Sequence, residues 1–71
     1  MEVWTSRSVY KVLPNGKGDG FIAEKQEATV GATSNITVGE RFEGKVLVVD
    51  LTTRTLRLDA LFIPGIIAIK S

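Results

Sequence analysis

Apolar residues recur along the chain with a period of two, and β-branched residues are abundant. This alternation places apolar side chains on one face of an extended segment, and it is typical of half-buried β-strands. The first such run covers residues 3–13 and predicts a single strand in which Trp4 and Tyr10 share one face. Arg7 and Lys11 then lie on the opposite face of that strand.

Shorter strands are predicted along the rest of the chain, separated by segments rich in Gly, Pro, Asn and Thr. The predicted strands cover residues 21–30, 36–38, 45–51, 55–62 and 64–71. The segments "PNGKGDG" and "GATSNITVGE" are typical of loops, and "TTR" predicts the turn of a hairpin between the third and fourth of these strands. Residues 23–27 are also good helix formers, so a helical turn is an alternative there, but a strand is favoured.

The size of the chain limits the fold. A chain of 71 residues forms at most one domain, and folding at this size buries only about 60% of the surface of the unfolded chain. We therefore expect one domain over residues 1–71 with a thin core. Five or so short strands predict an all-β fold, a small five-stranded OB-like barrel, with an SH3-like barrel as the alternative.

Two short stretches resemble OB-fold domains that bind nucleic acids. The run "VYKVLPNGKGDGFI" is similar to the opening strands of cold-shock domains, whose K-G-F-G-F-I type motif matches residues 17–22 here. Asp19 stands where that family has an aromatic ring, which leaves Phe21 as the stacking residue. The run "VGERFEGKVLVVD" resembles the start of the RNA-binding repeat first described in a ribosomal protein. Both resemblances imply an OB fold and nucleic-acid binding.

The glycine-rich loop "PNGKGDG" has two interpretations. Its glycines are spaced by two and no Ser or Thr follows Lys17, so it matches neither a P-loop nor a dinucleotide-binding fingerprint. The favoured interpretation is a turn in which Gly16, Gly18 and Gly20 supply positive φ angles. The alternative is that Lys17 and exposed backbone amides contact a phosphate.

Composition excludes several kinds of catalytic and metal site. The chain has no Cys and no His, so it cannot form a disulfide, a zinc site of the Cys and His kind, or a Ser-His-Asp triad. The sequence forces no two of its carboxylates into a close pair in apolar surroundings, and a domain of this size rarely encloses a substrate pocket. We expect no enzymatic activity, no metal and no cofactor.

Basic and aromatic residues define the predicted nucleic-acid site. The formal net charge of +1 excludes a strongly basic chain but allows a local basic face. Single strands are bound by a positive groove and by rings on which bases stack. Bases are predicted to stack on Trp4, Tyr10 and Phe21, and phosphates to contact Arg7, Lys11, Lys17, Lys45, Arg54 and Arg57.

One objection and one alternative stand beside this site. In a single strand over residues 3–13, Trp4 and Tyr10 lie opposite Arg7 and Lys11, and only a bulge near "SRS" would realign ring and charge. Alternatively, Trp4 and Tyr10 are core residues, and the arginines on strands are ordinary solubilising residues that protect edges.

The apolar stretch "ALFIPGIIAIKS" suggests a partner. Residues 66–69 predict a strand that is apolar on both faces, which a second subunit could cover, although burial inside the barrel is equally compatible. The stretch is about half the length that spans a bilayer, so we expect no membrane anchor.

We therefore predict a homo-oligomer, with a dimer favoured, that binds single-stranded DNA or RNA as a viral or plasmid accessory protein in the cytoplasm. No signal peptide is indicated at the N-terminus. The alternative is a structural protein that assembles with itself or a larger complex through sheet edges and its apolar tail. The near-zero net charge favours assembly, whereas the loop resemblance favours nucleic-acid binding.

Overall fold

The fold is all-β, as predicted. A computed structural model of the chain describes residues 1–28 and 36–71. These residues form eight strands, more than the five or so predicted, and contain no helix that could cross a membrane. The strands are β1 (Glu2–Thr5), β2 (Ser8–Pro14), β3 (Phe21–Ala28), β4 (Arg41–Gly44), β5 (Leu47–Asp50), β6 (Thr55–Leu58), β7 (Leu61–Ile63) and β8 (Ile66–Lys70).

The strands are arranged in two antiparallel sheets. The five-stranded sheet has the order β4-β3-β2-β1-β8, and the three-stranded sheet has the order β5-β6-β7. One face of each sheet contributes to a shared core, because alternate side chains of every strand point to the same side. The buried core residues are Val3, Tyr10, Val12, Ala23, Leu56, Leu58, Leu61, Ile63 and Ile66.

The prediction of one strand over residues 3–13 is wrong, because a tight turn divides it into β1 and β2. The Thr5 hydroxyl oxygen accepts hydrogen bonds from the backbone N–H groups of Arg7 (3.1 Å) and Ser8 (3.0 Å). A side-chain oxygen that binds N–H groups two and three residues further on stabilises a turn without Gly or Pro.

This turn changes which side chains share a face. Val3 is the register partner of Tyr10, and both are buried in the core. Trp4 pairs with Val9, one position further along, so it lies on the outer face of the sheet. Trp4 and Tyr10 therefore lie on opposite faces, and the predicted arrangement is corrected.

The predicted strand over residues 55–62 is likewise two strands. Leu58 and Leu61 are register partners across a two-residue turn, and Asp59 in that turn has a φ of 49°. Asp is among the few residues with a side chain that adopt this conformation readily. The alternation carries a signal of the turn, since buried positions shift from Leu56 and Leu58 to Leu61 and Ile63.

The segment that follows β3 also differs from the prediction. Residues 36–38 are not a strand, whereas Arg41–Gly44 forms β4 and pairs with β3. Buried Lys25 of β3 holds this segment, because its Nζ donates to the Ile36 carbonyl at 2.8 Å. The strand predicted over residues 21–30 is confirmed as far as Ala28. Residues 29–35, which include the first half of the predicted loop, lie outside the described part.

Candidate functional site

The glycine-rich loop between β2 and β3 is built as a turn. Gly16 and Gly18 have φ angles of 82° and 79°, so the prediction of positive φ is confirmed for them. Gly20 has no positive φ and serves a different purpose, because a Cβ there would lie 2.5 Å from the Gly44 carbonyl oxygen. Its missing side chain allows the loop to approach β4.

Hydrogen bonds within the loop use groups that a phosphate would need. The side-chain oxygen of Asn15 accepts from the Lys17 N–H at 2.9 Å, and its Nδ2 donates to Asp19 Oδ1 at 2.9 Å. The Asn15 N–H in turn donates to the Gly20 carbonyl at 3.0 Å. The Lys17 amide is thus engaged inside the loop, while its side chain remains exposed.

Lys17 and Lys45, two of the predicted phosphate contacts, line an open cavity of about 420 Å³ with Asp19, Glu43 and Asp59. Asp59 accepts backbone hydrogen bonds from Lys45 at 3.2 Å. Carboxylates in the same cavity oppose a phosphate electrostatically. Within residues 1–28 and 36–71, no three acidic groups lie close enough together to hold a metal ion.

The outer face of the five-stranded sheet carries a row of alternating charge. Register partners join one residue from each strand across the sheet. In strand order this row, which we call the charge ladder, consists of Arg41, Glu24, Lys11, Glu2 and Lys70. Opposite charges on neighbouring strands stabilise a sheet face, whereas like charges would destabilise it.

One end of the charge ladder is an ion pair. Arg41 Nε lies 2.7 Å from Glu24 Oε2. The hydrogen bond from Arg41 lowers the pKa of the Glu24 carboxyl below its usual value, and a further hydrogen bond from Gln26 adds to this effect. The same contact raises the pKa of Arg41. The predicted phosphate contact Lys11 thus has a carboxylate, Glu24 or Glu2, as its register partner on each side.

Trp4 lies beside the other end of the ladder. Its ring is half-buried, with Lys70 Nζ 4.3 Å from the ring centroid, and its Nε1 donates to Glu2 Oε1 at 3.0 Å. Trp4 and Lys11 share the outer face, so for this pair the objection that ring and charge lie on opposite sides of the sheet no longer holds, whereas Tyr10 lies opposite Lys11. Lys70 was not among the predicted residues, since only the pairing of β1 with β8 brings it to this ring.

The other two rings of the predicted site are on the core side. Tyr10 is 4% exposed and belongs to the core, so its ring has no face available for a base. Phe21 is half-buried and packs against the core. Trp4 is therefore the one predicted stacking residue that lies on the outer face of the sheet.

The three predicted arginines are exposed on separate elements. Arg7 lies in the turn between β1 and β2, and Arg54 lies in the turn between β5 and β6 with a φ of 57°. Arg57 lies on the outer face of β6, where its guanidinium is 5.3 Å from the centroid of the Phe62 ring. The structure thus distributes the predicted phosphate contacts over both sheets and does not gather them in one groove.

A surface that the sequence analysis did not single out lies along β5. Among the described residues β5 pairs with β6 alone, and we call its other side the β5 edge. The β5 edge and its flanks expose four large apolar side chains: Val46 is 62% exposed, Val48 52%, Val49 37% and Leu51 70%. No charged residue occurs from Val46 to Val49.

The backbone of β5 presents hydrogen-bonding groups to this edge. Val46 directs both its backbone groups toward β6, since its carbonyl accepts from the Asp59 N–H at 3.1 Å and its N–H donates to Asp59 Oδ1 at 3.0 Å. Backbone groups alternate in direction along an antiparallel strand. The backbone N–H and C=O groups of Val48 and Asp50 therefore also point toward β6. Those of Leu47 and Val49 point toward the β5 edge.

The outer strands β4 and β7 carry features that oppose pairing with a further strand, whereas β8 has a single charge at its end. The outer strand β4 includes exposed Arg41 and Glu43. The outer strand β7 is three residues long and is followed by Pro64. Short length, charge and proline all protect sheet edges. On β8, Ile67 is 64% exposed and Lys70 adds a charge at the strand end.

Comparison of the chain with protein-family models, with curated proteins and with solved structures gives no match.

Proposed function

We propose that this protein is an assembly module, which joins further chains by adding a strand to the β5 edge. The observation that carries the proposal is the exposure of Val46, Val48, Val49 and Leu51, on and beside a strand whose outward side no described strand covers. Strand addition supplies backbone hydrogen bonds and covers alternate side chains at the same time.

Energetic reasoning supports the same function. Apolar surface removed from water contributes roughly 25 cal/mol per Å², and outward N–H and C=O groups gain partners when a strand is added. Arg57 does not shield the β5 edge, since it leans over Phe62 on the far side of β6 from Val48. A thin core in a chain of 71 residues adds a further reason for a partner.

Sedimentation equilibrium over protein concentrations from about 1 μM to 500 μM tests this function, the range being that in which moderate interfaces associate. We expect a concentration-dependent rise above the mass of one chain, 7.7 kDa. The assembly function would be contradicted by a single species of that mass at every concentration, together with amide exchange in β5 that does not depend on protein concentration.

A second candidate function is single-stranded nucleic-acid binding on the outer face of the five-stranded sheet. The OB-like barrel that the sequence predicts is the fold proposed with this function. The specific observation in its favour is that Trp4, Lys11 and Lys70 share that face, with Lys70 next to the ring. Stacking of a base on Trp4 in place of Lys70 would combine the ring with phosphate attraction. The interleaved Glu2 and Glu24 make this candidate the weaker one.

Trp4 fluorescence tests the second candidate, because Trp4 is the one tryptophan in the chain. Binding predicts saturable quenching by an oligothymidine or an oligouridine that weakens as salt rises. The variant Lys11→Glu should reduce that quenching more than Lys17→Glu does, because Lys17 lies in the loop between β2 and β3 and not on the face that carries Trp4. An unchanged Trp4 signal at low salt, with no complex in a direct binding assay, excludes this function.

A further inference from the structure

We infer that the occupant of the β5 edge is a second copy of this chain, paired antiparallel about a two-fold axis that passes beside Val48. This inference rests on the proposed assembly function and specifies its partner and register. In this arrangement Val48 lies opposite Val48 of the second copy, and Leu47 lies opposite Val49. The two three-stranded sheets then form one continuous six-stranded sheet.

The direction of the backbone groups selects this register. Leu47 and Val49 are the residues of β5 whose N–H and C=O groups point outward. With Val48 at the axis, Leu47 of each copy forms a hydrogen-bonded pair with Val49 of the other copy. The two pairs together give four N–H···O bonds. An axis at Leu47 pairs Val49 with Lys45, and an axis at Val49 pairs Leu47 with Leu51. Both of these registers use residues outside the strand.

Charge favours a second copy in the antiparallel direction. The strand is preceded by Lys45 and ends at Asp50, and it carries no charge from Leu47 to Val49. Antiparallel pairing places the Lys45 end of one copy beside the Asp50 end of the other. Parallel pairing would instead place like charges beside each other at both ends, which is unfavourable.

The side chains of the two copies are also complementary in this register. On the inner face, half-buried Leu47 lies beside Val49 of the second copy, and Val49 is 37% exposed in the single chain. On the outer face, the two Val48 side chains meet at a pair without hydrogen bonds, where side chains approach most closely. Such pairs of β-branched residues stabilise antiparallel strands.

Single cysteine variants test the register, because the chain contains no cysteine. In the proposed pair the Cα atoms of the two residues at position 48 lie about 4.5 Å apart, within the range for a disulfide. Residue 47 of one copy is offset from residue 47 of the other copy by about 7 Å along the strands, and the same holds for residue 49. For residue 46 the corresponding offset is about 14 Å. We therefore expect Val48→Cys to form a disulfide-linked dimer in oxidised glutathione, and Leu47→Cys, Val49→Cys and Val46→Cys to remain largely unlinked.

Other outcomes distinguish this inference from the function on which it rests. A concentration-dependent dimer in which Leu47→Cys or Val49→Cys is linked but Val48→Cys is not would overturn the register and leave the assembly function standing. Ile67→Cys, prepared as a further variant on β8, tests the choice of strand. Linkage in that variant alone would overturn the choice of β5 and move the interface to β8. A monomer at every concentration, with no linkage in any variant, would overturn both.

Discussion

The outer face of the five-stranded sheet and the β5 edge of the three-stranded sheet expose different kinds of groups to water. The charge ladder on the first surface alternates in sign from Arg41 to Lys70, so its charges have partners within the chain. Along the β5 edge, exposed valines and outward backbone groups have no such partners in the described part of the chain.

This difference indicates which surface is complete in a single chain. Charges on neighbouring strands compensate one another and remain solvated, so the ladder face gains little from a partner. Apolar side chains and strand backbone groups gain from both burial and hydrogen bonding when a further strand is added. This contrast is the reason why we propose that a partner strand is added at β5.

The largest effect is expected from placing a charge on the β5 edge. Val48→Lys puts two like charges opposite each other at the two-fold axis and should weaken dimerisation roughly 100-fold or more, about 3 kcal/mol. The matched control is Ile67→Lys, because Ile67 is 64% exposed on a different sheet edge. Analytical ultracentrifugation compares the two variants. Equal weakening by both would mean that β5 has no special part in association.

A smaller effect, on the free energy of unfolding, is expected from a substitution at Gly44, where β4 ends and the chain continues to β5. A Cβ at Gly44 would lie 2.8 Å from Asp59 Cγ and 2.9 Å from Leu58 Cγ, and Leu58 is buried. Gly44→Ala must displace the carboxylate that holds the N–H groups of Lys45 and Val46. We expect a loss of about 1–3 kcal/mol in the free energy of unfolding, measured by urea denaturation. A stability equal to that of the wild type would contradict the tight contact.

Removal of the cation beside Trp4 should have a more modest effect. Lys70→Ala eliminates a contact of 4.3 Å between Nζ and the ring centroid. Exposed contacts of this kind contribute roughly 0.5–1 kcal/mol to the free energy of unfolding. The Trp4 emission should also change, whereas Lys11→Ala, which removes a ladder charge from β2, should leave it nearly unaltered. Identical spectra for wild type and Lys70→Ala would place Lys70 away from the ring.

The smallest effect is expected within the charge ladder itself. Both side chains of the Glu24–Arg41 pair contact solvent, so Glu24→Gln should lower Tm only slightly at pH 7. Because Arg41 lowers the pKa of Glu24 in the folded chain, this contribution is present above the usual value of 4.5 and is lost as pH falls through the folded pKa. Thermal melts at pH 7 and pH 3 compare the Tm of Glu24→Gln with that of Glu27→Gln, a residue on the same strand but outside the ladder. A difference between wild type and Glu24→Gln that grows at low pH would reverse the assigned sign.

Much of the fold could be predicted from the period-two pattern. It indicated the all-β class and the strands β3 and β5, because alternation and β-branched residues are local properties. The turn between β1 and β2 was missed, since it contains neither Gly nor Pro and depends on the Thr5 hydroxyl. The turn at Asp59 was missed although the shift in alternation between Leu58 and Leu61 marks it.

The candidate site could be predicted only in part. The pattern assigns a side chain to one face of its own strand, but it does not determine which strand lies at the edge of a sheet. For that reason the pattern predicts a stacking role for Tyr10, which belongs to the core, and does not indicate Lys70 beside Trp4. The exposed valines of β5 were predicted as an ordinary hairpin strand, because only the pairing of strands in space makes β5 an outer one.

Amide hydrogen exchange at Leu47 and Val49 tests the central claim most directly, since their N–H groups point toward the β5 edge. We expect both amides to be protected at high protein concentration and to lose protection on dilution, while the amide of Leu56 in the core remains protected throughout. Rapid exchange of Leu47 and Val49 at every concentration, with Leu56 still protected, would contradict pairing of two copies through β5.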